Sequence, residues 1–177
     1  WQRAQGVEAT FEILPVVWDV ATNISYGEYD VVVHLGLGVY DHEDVLWLER
    51  GAMHRREGLD ARGLEPATTT FVSDHDVDER IQGPRWLDEG IASLEGARCG
   101  VYQVVVRQAR RDNIFLCNET HGRSLLRVRK EANSAGLLAA YFIHLPYPRG
   151  DDEGGLALGV ERLICLLIDQ IRAQHSA

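Results

Sequence analysis

The sequence predicts an α/β protein, a three-layer α/β/α sandwich around a mixed, mostly parallel central sheet. Three observations carry that expectation. Short β-rich runs recur along the chain, segments with helical period separate them, and one run, Asp30 to Leu37, is almost continuously apolar. A strand apolar on both faces is covered on both faces, which requires helices above and below the sheet.

Taken in order, Thr10 to Trp18 reads as a first strand and Asp30 to Leu37 as a second. Val45 to Met53 reads as a third, Thr68 to Val72 as a fourth, Val101 to Val106 as a fifth and Ala139 to Leu145 as a sixth. Between them Trp86, Leu87, Ile91 and Leu94 recur at helical spacing, as do Leu116, Thr120, Ser124, Leu125 and Val128. The stripe Val160, Leu163, Ile164, Leu167, Ile168, Ile171 gives the clearest helix, over Leu156 to Ile171. Arg55 to Pro66 and Ser73 to Arg85, rich in Gly, Asp and Arg, read as surface loops. Neither a repeat nor a low-complexity tract is visible, and 177 residues with 45% hydrophobic content suit one domain, 1-177.

With 27 acidic against 18 basic side chains the formal charge is -9, so no diffuse positive field attracts nucleic acid or anionic lipid. Cys99, Cys117 and Cys165 are widely spaced and form no CxxC pair, which suggests neither a disulfide framework nor a zinc site. A reducing cytoplasm is the expected location. No apolar run approaches the ~20 residues of a membrane span, and no basic stretch leads into a signal-peptide core.

In open α/β sheets reactive groups collect at strand ends. Cys117 follows the fifth strand where a helix is expected to begin, with Asp112 or Asn113 as candidate caps. Helix-start amides and the helix dipole stabilise a thiolate and lower its pKa. The plainer alternative is a small buried hydrophobe, the usual fate of a free cysteine. His144 closes the sixth strand, with Leu145 between it and Pro146, in a segment that stays extended; it can serve as the base of a neighbouring thiol or simply hydrogen-bond a loop. Glu49 is embedded in the apolar run Val45-Leu46-Trp47-Leu48-Glu49. A buried carboxylate needs a partner, either an imidazole to orient or an arginine such as Arg50 or Arg62. His121, one helical turn beyond Cys117, could pair with it on a metal but lacks further ligands at fixed spacing. His34, His42 and Glu43 surround Gly36-Leu37-Gly38, read as a turn, which lacks the third glycine of a dinucleotide loop. Cys99 and Cys165 read as packing residues.

Taken together these segments resemble pyroglutamyl peptidase I (pyrrolidone-carboxylate peptidase). The resemblance runs through Leu14-Pro15-Val16, Tyr29-Asp30-Val31-Val32-Val33-His34-Leu35-Gly36, Leu48-Glu49-Arg50-Gly51-Ala52, Asp60-Ala61-Arg62, Cys117-Asn118 and Phe142-Ile143-His144-Leu145-Pro146-Tyr147. The last block is the most specific, and the order Glu, Cys, His is the family's. The resemblance implies a cysteine omega-peptidase that releases N-terminal pyroglutamate or a related small acyl group through a thioester. Cys117 would be nucleophile, His144 base and then acid, Glu49 the residue orienting His144, and Arg62 an oxyanion or substrate candidate. It implies no metal or organic cofactor, a peptide substrate with a blocked N-terminus, and a homo-oligomer as the expected assembly.

The chain also departs from the family. The first strand and the Gly-Phe-x-Pro-Phe-Gly loop that help bind the ring would precede residue 1, so the chain is expected to be N-terminally truncated relative to the family. Gln108-Ala109-Arg110-Arg111-Asp112-Asn113 stands in place of Ser-x-x-Ala-Gly, Gly63-Leu64-Glu65-Pro66 in place of Pro-Asp-Asn, and Leu37 where a glutamine is expected. Two alternatives therefore remain beside the peptidase: a non-catalytic relative acting as a binding or interaction module, and a thiol amidase of other specificity.

Overall fold

The computed structural model describes residues 6–39, 42–72, 76–131, 136–147 and 153–175. A five-stranded mixed sheet forms the centre. Its strands are β1 (Val31–Val39), β2 (Val45–Arg50), β5 (Arg98–Cys99), β6 (Tyr102–Gln108) and β7 (Ala139–Pro146), in the order β1-β7-β2-β6-β5. The two long ladders, β1 with β7 and β2 with β6, are parallel; β2 with β7 and β5 with β6 are short antiparallel pairings. A second pair, β3 (Ala52–Met53) and β4 (Arg80–Ile81), lies beyond the end of β2. Helices α1 (Arg85–Ser93), α2 (Leu116–Glu131) and α3 (Glu153–His175) pack on the sheet.

Strand parity sorts the helices into layers. Leu46 and Leu48 of β2 stand opposite Val104 and Val106 of β6 and share a face with Ile143 of β7. On that face α3 lies so close that a Cβ at Gly159 would meet the Tyr102 ring at 2.6 Å. Arg50 reaches Asp88 of α1 from the same side, Nε to Oδ1 at 2.8 Å, and Gln170 of α3 donates to the Gly90 carbonyl of α1. Trp47 and Glu49 point the other way, with His144, Phe142 and His34, and that face is covered by α2. The fully buried Leu46, Leu48, Val104, Tyr141, Ile143, Leu163 and Leu167 hold the sandwich together. The three-layer expectation is thus met, and the strands near Asp30, Val101 and Ala139 and all three helices fall where their periodicity puts them.

Three expected strands need correction. Thr10 to Trp18 is irregular: Phe11 and Ile13 are 90% and 95% exposed, and Trp18 alone of the segment is buried. It is tied down instead by Trp18, whose indole donates to the Gly58 and Leu64 carbonyls. Thr68 to Val72 is also irregular, because side chains take the backbone groups a ladder would need. Arg56 Nε donates to the Thr68 carbonyl at 2.8 Å, and the Val72 amide donates to His54 Nε2 at 2.9 Å. Val45 to Met53 is split at Gly51, whose φ of 82° turns the chain out of β2 and into β3. The Gly36-Leu37-Gly38 stretch is no turn; it lies inside β1. Of the expected loop Ser73 to Arg85, residues 73–75 lie outside the described residues.

Among the described residues no helix is long and apolar enough to cross a membrane.

Candidate active site

The α2-covered face of the sheet brings together Cys117, His144 and Glu49. In the β1–β7 register Gly36 stands opposite His144 and His34 opposite Phe142, so all four share a face with Trp47, the partner of His144 on β2. Cys117 is the second residue of α2, and its Sγ comes down onto β1: a Cβ on Gly36 would lie 3.4 Å from it. His144 leans on the same strand two residues further on, where a Cβ on Gly38 would lie 2.1 Å from Nδ1. Gly36 leaves room for the thiol and the Phe142 ring, and Gly38 is the tighter of the two. Any side chain at position 38 would displace the imidazole.

Glu49 approaches His144 from β2, with Oε1 3.3 Å from Nε2. Neither His144 ring nitrogen nor Glu49 Oε1 makes a hydrogen bond, so the expected thiol–imidazole bond is absent and the Glu49 contact is one of proximity. Burial sets the protonation of all three groups. It pushes the Glu49 carboxyl up to about 7, against the opposing pull of Arg107 and Arg110. It pulls His144 down to about 4, helped by the Arg107 charge. The Cys117 thiol goes up to about 11 through burial and the neighbouring Glu49 charge, while its own backbone N–H works the other way. Helix-start stabilisation, expected to lower this thiol, is outweighed by desolvation. The resting groups are a thiol and a neutral imidazole.

The helix begins at Leu116, so Asp112 and Asn113 lie upstream of its cap position, and Asn118 ties its first turn to the chain beyond β2. The Asn118 carboxamide accepts from the Met53 amide at 2.7 Å and donates to the Met53 and Arg55 carbonyls at 2.8 Å each. The chain that leaves Glu49 is thereby pinned to the residue that follows Cys117. Beside it Arg56, buried, is clamped by Asp19 at 2.8 Å and Glu119 at 2.9 Å, and Arg123 joins the same two carboxylates.

Arg62 is placed elsewhere in its pairing. Its guanidinium, 56% exposed, binds the Asp60 carboxylate at 2.8 and 3.1 Å. His121 is fully buried one turn beyond Cys117, edge-on to Phe142, and neither of its ring nitrogens is hydrogen-bonded. Among the described residues no group of three His, Cys, Asp or Glu side chains comes together as a metal would require. His34 does not reach His42 or Glu43, both exposed; its Nε2 meets Ser124 Oγ at 2.7 Å, which also bonds the Tyr26 hydroxyl at 3.0 Å. Cys99 is buried and Cys165 half-buried in α3, in keeping with packing roles. A cleft of about 560 Å³, lined by Tyr26, Arg123, Arg127 and Lys130 among others, does not include Cys117, His144 or Glu49.

Sequence reading missed three contributors. The Gly36 and Gly38 spacing was legible as close backbone approach once placed in a strand. Asn118 carried no local signal, because its partners lie 63 to 65 residues away. Arg107, a charge directly after the apolar run Val104-Val105-Val106, is the third.

No protein-family model and no curated protein sequence matches the chain. Solved structures do. A pyrrolidone carboxyl peptidase mutant (E192D) from Pyrococcus furiosus superposes with a TM-score of 0.63 at 17% identity, covering 89% of this chain and 80% of its own. The pyrrolidone carboxyl peptidase from Thermococcus litoralis gives 0.56 at 17% identity, covering 83% and 69%. The chain shares the fold of these peptidases.

Proposed function

We propose that the chain is a cysteine omega-peptidase that releases an N-terminal pyroglutamyl or related small acyl group from a peptide, with Cys117, His144 and Glu49 as its catalytic residues. The observation that carries the reading is the convergence of a helix-start thiol, a strand-end imidazole and a buried carboxylate on one face of a peptidase fold. Cys117 Sγ attacks the amide carbonyl carbon while its proton passes to His144. The oxyanion forms beside the Cys117 backbone N–H at the start of α2. His144 then returns the proton to the leaving amine as the C–N bond breaks, and water, deprotonated by His144, hydrolyses the thioester. Glu49 stabilises the imidazolium in each proton transfer. Arg62 is the candidate contact for the oxyanion or the acyl group in this scheme. No step calls on a metal. A cytoplasmic location keeps the three free cysteines reduced, and self-association into a homo-oligomer belongs to the same proposal.

Release of the chromophore from a pyroglutamyl anilide tests the reading. The parent chain should turn it over, and Cys117→Ala should not, with circular dichroism and melting unchanged. Equal rates in both overturn it.

One observation favours a second reading, a non-catalytic binding relative. Cys117 is held well above, and His144 well below, the range in which a thiolate–imidazolium pair rests, and the two make no hydrogen bond. Binding of pyroglutamyl peptides without turnover at any pH between 6 and 10 would decide for it.

A further inference from the structure

We propose that Arg107 selects the substrate, and that the site prefers peptides with a carboxylate next to the scissile amide; the inference rests on the peptidase reading of the site. Arg107 stands directly opposite Glu49 in the β2–β6 ladder, so its side chain leaves the sheet on the face of Glu49, Trp47 and His144. Its guanidinium carbon lies 3.6 Å from the centroid of Trp47, and Trp47 meets the His144 ring at 6.5 Å. Stacking occupies one face of the guanidinium and leaves its in-plane donors pointing outward.

Those donors are unused. Among the described residues Arg107 makes no ion pair or side-chain hydrogen bond. The other partly buried arginines are all engaged: Arg50 with Asp88, Arg56 and Arg123 with Asp19 and Glu119. In a chain with 27 acidic side chains against 18 basic ones, an unpaired, half-buried guanidinium stands out. It feels the charge of Glu49 across the ladder but has lost part of its hydration without a hydrogen-bonded partner, and a ligand carboxylate gripped through two parallel N–H···O bonds would supply one. Arg110, exposed near the end of the same strand and paired with Asp112 at 3.2 Å, adds a second positive charge that Glu49 feels. One stacked guanidinium offers one bidentate site, so a peptide carrying a single carboxylate is the ligand this cation fits.

The test uses two isosteric peptides, pyroglutamyl-glutamate amide and pyroglutamyl-glutamine amide, which differ by one carboxylate. At low ionic strength the parent should favour the acidic peptide about tenfold in kcat/KM. Arg107→Gln should bring the ratio to about one, Arg107→Lys should keep part of it, and raising salt should shrink it in the parent. A parent ratio near one, or a ratio that survives in Arg107→Gln, overturns the inference. Calorimetric binding of both peptides to Cys117→Ser, with and without Arg107→Gln, reads the same selectivity without chemistry. Selective binding in a chain that turns over neither peptide would refute the peptidase and support Arg107, whereas turnover of both without preference would do the reverse.

Discussion

Glu49 and His144 come from strands that run antiparallel, yet their side chains meet with Oε1 3.3 Å from Nε2. Both are buried, and burial drives both toward neutrality: the carboxyl up to about 7, the imidazole down to about 4. Between those values the pair is uncharged. An imidazolium facing a carboxylate is therefore a state reached when Cys117 gives up its proton, not the resting one.

The pH profile of turnover follows. Only ionised Glu49 can stabilise the imidazolium, so kcat/KM should rise with pH through about 7 and then level. Glu49→Gln should remove that limb and slow turnover by roughly a hundredfold. A limb near the ordinary carboxylate range would show that Glu49 is not the titrating group.

The Cys117 thiol, at about 11, should alkylate slowly at neutral pH. Iodoacetamide labelling, located by peptide mapping, should accelerate about tenfold per pH unit up to that value. A rate that plateaus below pH 8 would mean the thiolate is stabilised in a way the structure does not contain.

Gly38→Ala places a methyl 2.1 Å from His144 Nδ1 in the present arrangement. The imidazole must move, at a cost to stability of about 1–3 kcal/mol by chemical denaturation. Hydrolysis should be lost even where the fold persists. Retained turnover would show that His144 has freedom the packing denies it.

Three histidines are buried against the α2 layer: His34 and His144 held down at about 4, His121 at about 3. Desolvation is the leading cause for each. Their folded values lie below the unfolded one of 6.5, so the unfolded chain binds more protons as the pH falls. Their contribution is intact above about 6.5 and is lost between there and about 3, at up to about 1.4 kcal/mol per histidine per pH unit. Glu49, raised from 4.5 to about 7, acts in the opposite sense over that interval but is one group against three. Melting temperature should fall from pH 6.5 to 4, and the fall should be shallower in His121→Asn. A flat profile would mean these imidazoles are not buried neutral.

The parts of this molecule legible in sequence are those set by local periodicity. The apolar stripe from Val160 to Ile171 and the run before Phe142 announce themselves, and Glu49 is conspicuous as a charge in such a run. What was not legible depends on partners far along the chain. Thr10 to Trp18 has strand composition but is held by single bonds to the Gly58–Leu64 loop, and Thr68 to Val72 loses its ladder to Arg56 and His54. Helix-start position suggested an acidic Cys117, but the burial that overrides it comes from sheet residues brought over it by the fold. Asn118 matters through contacts that no spacing announces, and Gly36 and Gly38 become readable as sites of close approach only once their strand is placed.

The central claim is that Cys117 carries the acyl group, and intact-mass spectrometry of the enzyme quenched during turnover of a pyroglutamyl anilide tests it most directly. We expect one pyroglutamyl adduct, mapped to Cys117, absent in Cys117→Ala and accumulating at high pH in His144→Gln as thioester hydrolysis slows. Turnover with no adduct on Cys117, or an adduct on Cys99 or Cys165 that persists in Cys117→Ala, would contradict the account.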